Sequence, residues 1–261
     1  MTEPDPSTPA DERPFVAPCR RLGATAPLRW LRLGWADLRA APGPTAVFGL
    51  AVLAMSVAVS ALAWWLGRFA LLATVLSGFV FIAPLLGVGL YAVSRAHAEG
   101  QPARVGDSLA LARRVVGQAA VFALMQLVIV MVWARAGMMV SAFVPLAPGS
   151  TAALVEFLLV GSAVGSVFAA LTFAAAAFSL PMIADRDVDM VTACLSSVHA
   201  VLRNKAAMAV WALLIVLLTA LGFATAFLGL AVILPWLAYA SWHGYRETID
   251  ASEWPALPWR P

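Results

Sequence analysis

Ala206 to Tyr245 reads AAMAVWALLIVLLTALGFATAFLGLAVILPWLAYASWHGY, with no Asp, Glu, Lys or Arg between Lys205 and Arg246. One helix of that length would run about 60 Å at 1.5 Å per residue, twice the roughly 30 Å hydrocarbon core of a bilayer. The stretch is therefore either one steep helix reaching far outside the membrane or two helices folded back on each other. The small-residue patch Gly222-Phe-Ala-Thr-Ala226 lies near its middle, where a turn has to go. A hairpin there returns the C-terminus to the side on which the chain begins.

Composition decides what kind of surface surrounds this stretch. The chain has 261 residues, 62% of them hydrophobic and 12% charged, with a mean hydropathy of +0.87. A soluble globular domain carries about 25% charge, and half that amount cannot cover a protein of this size in water. Ala40–Gly67, Phe69–Ser94 and Phe157–Ala184 are also free of charge and long enough to cross. The reading is an all-α polytopic membrane protein. Met1–Ala26 carries four acids and five prolines but no apolar h-region, so residues 1–26 are expected to be a disordered cytoplasmic tail rather than a signal peptide. Residues 27–247 form the membrane domain, and 248–261 a second cytoplasmic tail. Cys19 and Cys194 both fall on the cytoplasmic side, where reduced thiols are expected.

Spans at about 44–66, 70–93, 117–139, 153–182, 206–223 and 226–244 leave fifteen of the seventeen basic residues on one face. Arg68 and Arg135 alone fall on the other. The excess of arginine marks the cytoplasmic side and places both termini there. It also accounts for the net charge of +3 without invoking nucleic acid.

A repeat supports the hairpin. Pro84 stands eleven residues before Arg95, and Pro235 eleven before Arg246, with Tyr91 and Trp242 at matching positions. Each outgoing span also follows an amphipathic segment. The first carries Leu28, Leu31, Trp35 and Leu38, the third Val188, Val191, Leu195, Val198 and Leu202. The second, Asp107–Val116, carries Leu109, Ala112 and Val116. Three units follow, each an interfacial helix and a transmembrane hairpin. Arg29, Arg32 and Arg39 flank the first stripe, where contact with anionic headgroups of the inner leaflet is expected.

Several stretches resemble a known family: Pro27-Leu-Arg-Trp-Leu-Arg-Leu-Gly-Trp-Ala-Asp-Leu-Arg39 with Ala41-Pro-Gly-Pro44, and Ala83-Pro-Leu-Leu-Gly-Val-Gly-Leu-Tyr91. Gly161-Ser-Ala-Val-Gly-Ser-Val-Phe-Ala-Ala170, Ser179-Leu-Pro-Met-Ile-Ala-Asp-Arg-Asp-Val188, and Trp242-His243 with Tyr245-Arg246 continue it. Together they are similar to the bacterial integral-membrane family catalogued as domain of unknown function 2189, over roughly Pro27–Glu247. The resemblance implies a bacterial cytoplasmic membrane and carries over no catalytic residue.

Candidate chemistry is sparse. Asp185-Arg-Asp-Val-Asp189 begins like a calcium loop, but Met190 and Ser196 stand where Gly and Glu are needed. A helix cap by Asp187 or Asp189 is the better reading. Gly87-Val-Gly89-Leu-Tyr-Ala92 fits a dinucleotide fingerprint only formally, because it lies inside a span. Gly161 and Gly165, continued by Ala169, make a smooth face for helix packing, internal or between subunits. His97, His199 and His243 sit at cytoplasmic ends, and metal ligation would require them to converge. Arg135 and Glu156 flank the outer loop between the third and fourth spans. They are expected to pair there, as a structural ion pair or as part of an outward-facing substrate or proton site. Gln126 is the remaining strongly polar side chain deep in a span. No catalytic motif is present and no cofactor is expected. Two functions stay open: an accessory or scaffold protein binding membrane partners, another copy or lipid, and a transporter or channel for a small apolar or lipid-like solute.

Overall fold

The computed structural model describes residues 14–65, 87–144 and 150–258. Its elements are helical throughout, with two isolated bridges, Cys19 to Ile249 and Arg186 to Ala256. In chain order the helices are α1 (Ala26–Ala40), α2 (Pro42–Trp65), a short 3-10 turn (Val88–Leu90), α3 (Tyr91–Ala98) and α4 (Val105–Arg114). They continue as α5 (Val116–Phe143), α6 (Thr151–Asp185), α7 (Met190–Arg203), α8 (Lys205–Ala224) and α9 (Leu230–Thr248).

The stretch 206–245 is folded back. α8 ends at Ala224, and residues 225–229 turn through Ala226 and Phe227, both in left-handed backbone with φ of 51° and 69°. The turn lies about three residues later than the Gly222–Ala226 patch suggested. Gly222 matters for a different reason: a Cβ there would lie 2.3 Å from the Leu230 side chain, so the two helix ends close tightly only around glycine. At the far end Arg20 joins both helices. Its N–H donates to the Thr248 carbonyl at 2.8 Å, and its own carbonyl accepts from Asn204 Nδ2 at 3.0 Å.

The three amphipathic segments form α1, α4 and α7, and each ends at one buried residue, Ala41, Val115 or Asn204, before the next helix begins. The three elbows share one hydrogen-bond pattern. The elbow N–H donates four residues back, to Asp37, Leu111 or Ala200; the elbow carbonyl accepts four residues on, from Thr45, Ala119 or Met208. At the first elbow α1 meets α2 at 102°.

Each amphipathic helix packs on the returning helix of the unit before it. α4 lies on α3 and its 3-10 turn, α7 on α6, and α1 closes the circle on α9. Small residues make these approaches possible. A Cβ on Gly34 of α1 would lie 2.6 Å from the Ala240 backbone nitrogen, and one on Gly89 would lie 2.9 Å from the Ser108 carbonyl oxygen. On α7, Ser197 Oγ accepts from the Phe178 N–H and donates to the Ala174 carbonyl of α6.

This packing splits the expected apolar stripes. On α1, Leu31 is buried and Leu38 half-buried, but Leu28 and Trp35 are exposed; Trp30, Gly34 and Asp37 take the inner face. On α7, Val191, Leu195 and Leu202 face outward, while Ala193, Ser196, Ser197 and Ala200 pack inward. The helices dock through small and polar residues and leave part of their hydrophobic side outside.

The tails depart from expectation where they are described. Ala17 is fully buried and donates its N–H to Ser196 Oγ, and the Leu22 N–H is held by Asn204 Oδ1. Trp254 and Leu257 are buried, and the Leu257 N–H bonds the Asp185 carbonyl. These contacts absorb backbone groups that a disordered tail would leave to water.

Among the described residues three helices are long and apolar enough to cross a bilayer, α5, α6 and α8; the bent pair of α1 with the start of α2 makes up to four. Of the six expected spans, these helices account for three, or four with the bent pair. The second expected span falls mostly at 66–86, outside the described residues. α9 is long enough, but its second half carries Trp242, His243, Tyr245 and Arg246 and is largely buried.

Candidate functional site

Two buried carboxylates organise the end of the fold where the elbows lie. The first is Asp37, placed by the 3.6-residue period on the same face of α1 as Trp30 and Gly34. Its Oδ1 meets His97 Nδ1 of α3 at 3.0 Å, and its Oδ2 meets His243 Nε2 of α9 at 2.8 Å. Ser94 donates its hydroxyl to Oδ2 as well. One side chain thereby ties three helices from two units. Burial works to raise the Asp37 pKa, but the hydrogen bonds from His243, Ser94 and His97 outweigh it and hold the carboxyl below its ordinary value.

The second is Asp185, the last residue of α6 and 4% exposed. Arg246 Nη1 reaches its Oδ2 at 3.1 Å, Arg186 Nε reaches Oδ2 at 3.2 Å, and Arg95 Nη1 lies 4.0 Å from Oδ1. The three arginines come from the ends of the three returning helices. Tyr245 donates its hydroxyl to Oδ2 at 2.8 Å. Burial first, then the neighbouring carboxylate, pushes the tyrosine well above its usual pKa, so it stays a donor. Tyr91 and Trp242, the matched aromatic residues of the repeat, stack with ring centroids 6.0 Å apart.

The arginines also hold the C-terminal segment. Arg95 Nη1 donates to the Leu257 carbonyl and Arg186 Nη1 to that of Trp254, each at 3.0 Å. The Asp187 N–H bonds the Pro255 carbonyl. Asp189, not Asp187, caps α7, accepting from the Thr192 N–H at 2.9 Å. The run Asp185–Asp189 thus works as a hub and a cap.

The residues singled out from sequence fare differently. Arg29 is bound to Glu247 through two of its guanidinium nitrogens, Nε and Nη2, and Glu247 also accepts from Trp30 Nε1 at 2.9 Å. Arg32 and Arg39 are exposed and have no ion pair among the described residues. Arg135 and Glu156 form no ion pair with each other, contrary to expectation. α5 continues two turns past Arg135 to Phe143, and both side chains point out of the hairpin. A cleft of about 510 Å³ lies against Glu156, but its lining comes from α6 alone, Thr151 to Val160.

The small-residue face is only partly used inside the chain. A Cβ on Gly165 would lie 3.7 Å from Trp133 Nε1 of α5, whereas one on Gly161 meets nothing within 4 Å, and Ala169 is exposed. The histidines converge more than the sequence suggested, since His97 and His243 share Asp37; His199 does not join them, and its buried Nδ1 has no partner. The signal available was Asp37 itself, a carboxylate on the Trp30 face of a helix whose arginines lie elsewhere. Gln126 is 3% exposed, and neither its amide oxygen nor its nitrogen has a hydrogen-bond partner among the described residues.

Residues 71–185 match a family described as a predicted integral membrane protein, DUF2189, within the longer stretch that the sequence resemblance covers. No curated protein and no solved structure matches the chain. The chain is an integral membrane protein with several apolar helices.

Proposed function

We propose that this chain is a membrane-embedded accessory or scaffold protein of the bacterial cytoplasmic membrane, which binds lipid and membrane partners rather than moving a solute. The observation that carries this reading is the use made of buried charge. Asp37 and Asp185 are both engaged by side chains of neighbouring helices, so the groups that could form an ionic path instead lock the units together. Six crossings in three hairpins, with both termini cytoplasmic, suit the charge pattern, and α1, α4 and α7 would then lie in the headgroup layer. The 102° turn between α1 and α2 supports that placement, because a helix perpendicular to a span lies in the plane of the bilayer.

Transport of a small apolar or lipid-like solute is the second reading, favoured by the unpartnered amide of Gln126 inside an apolar helix. Purified protein in liposomes separates the two. The scaffold reading expects no saturable solute flux and a reproducible complement of co-purified anionic lipid. Flux that disappears with Gln126→Leu overturns it.

A further inference from the structure

Four arginines are already paired within the chain. Arg95, Arg186 and Arg246 surround Asp185, Arg95 also meets Glu99, and Arg29 meets Glu247. The elbow cations are not. Arg39 precedes the first elbow residue by two positions, Arg113 and Arg114 precede the second, and Arg203 and Lys205 bracket the third. All five are exposed, and none has an ion pair among the described residues.

We infer that the three elbows are one phospholipid-headgroup site repeated three times, each seating the phosphate of an anionic lipid. This rests on the membrane-lipid reading above and moves the contact from the flank of α1 to all three units. The elbows share one hydrogen-bond pattern and one burial pattern, while their bends differ, with ψ of 66°, 3° and 41° at Ala41, Val115 and Asn204. Each also offers the two chemistries that a phospholipid presents. Cations stand at the turn, and the helix leading into it carries an exposed apolar side chain: Trp35 six residues before the first elbow, Leu109 six before the second, Leu202 two before the third. Where the in-plane helix turns into the crossing helix, a phosphate meets the cations while the acyl chain runs down the span. Basic side chains in a last helical turn also complement the helix dipole; that role needs no lipid and predicts no lipid stoichiometry.

The full-length protein, in micelles titrated with phosphatidylglycerol or phosphatidylcholine and read by native mass spectrometry, tests this. One phosphatidylglycerol per elbow is expected, with phosphatidylcholine much weaker. Arg39→Gln, the pair Arg113→Gln and Arg114→Gln, and the pair Arg203→Gln and Lys205→Gln should each weaken one site, about fivefold per cation removed. Arg113→Lys with Arg114→Lys should retain binding. Arg29→Gln, on the same helix but committed to Glu247, should change nothing. If Arg29→Gln costs as much as an elbow variant, or the elbow variants reduce lipid without separating into sites, the repeated site is wrong and general lipid attraction stands. If the variant lacking all five cations binds phosphatidylglycerol like wild type, lipid recognition by the basic collar fails as well.

Discussion

Arg95 and Arg246 hold matching places in the two copies of the proline-to-arginine motif, and both point at Asp185, one toward each carboxylate oxygen. A sequence correspondence over 151 positions thus becomes a shared counter-ion. Arg186, at the end of the middle returning helix, completes the set. Three guanidinium groups around one buried carboxylate are stable only while the carboxylate is charged. Removing it leaves their charges to repel one another in a partly dehydrated place, so Asp185→Ala should cost roughly 3–5 kcal/mol. Arg246→Gln should cost about 1 kcal/mol or less, because that side chain is half exposed. Thermal unfolding in detergent gives both values, and equal losses would mean that Asp185 is not the centre.

The contact between α1 and α9 depends on a missing side chain. Gly34→Ala places a Cβ within 2.6 Å of the Ala240 backbone nitrogen, and backbone cannot rotate away. A loss of about 1–3 kcal/mol is expected. Gly161→Ala meets nothing within 4 Å among the described residues and should leave monomer stability unchanged or slightly raised through better helix propensity. Parallel melts of the two variants check this, and a loss at Gly161 without one at Gly34 would refute the packing described.

Acid should weaken the Asp37 link. Its folded-state pKa lies below the ordinary carboxylate value of about 3.9, so its contribution is present above that value and is lost as pH falls through the lower one. The groups facing it are Ser94, His97 and His243. Melting temperature measured from about pH 6 down to about pH 3 should fall less in Asp37→Asn than in wild type. Parallel curves would show that the loss at low pH comes from other carboxylates.

How far the sequence could be read follows from what each signal depends on. The fold-back of 206–245 rests on local hydropathy and is present, and the three segments read as amphipathic are helices. Which face of each amphipathic helix turns inward depends on what it docks against. α7 buries Ser196 and Ser197 and exposes Leu195 because small residues allow close approach to α6, and no period in the sequence reports that choice. The Arg135–Glu156 pair was inferred from nearness to one loop, which fixes the separation of neither side chain. Asp37 was legible as a misplaced charge, but its partners, His97 and His243, lie 60 and 206 residues away.

The hairpin puts the start of α8 and the end of α9 together and the turn between them opposite, and the proposed topology makes the first pair of ends cytoplasmic. Ala224 lies at the turn and Ser252 beyond the Asp185 hub, and both are exposed. With cysteine placed at either position, Ala224→Cys should react with an impermeant maleimide from outside the cell, and Ser252→Cys only after the membrane is opened. Labelling of Ser252→Cys from outside would remove the cytoplasmic placement of the C-terminus, and with it the even number of crossings.

The last prediction concerns Gln126 and decides between the two proposed functions. Trp133 of α5 lies against Gly165 of α6. Two turns along this antiparallel pair, Gln126 on α5 comes level with Thr172 on α6, whose hydroxyl is also buried without a partner among the described residues. Unsatisfied polar groups inside an apolar span cost about 1–3 kcal/mol each, and the surrounding hydrocarbon supplies no water to relieve them. If they serve no ligand, Gln126→Leu, which keeps the side-chain volume and removes the amide, should raise stability by about that amount and leave lipid binding and cellular function unchanged. If they mark a path or seat for a solute, the same variant should be equally or more stable yet inactive. Melting temperature measured beside complementation of a deletion strain separates the outcomes. A stabilised but inactive Gln126→Leu would replace the scaffold with a transporter.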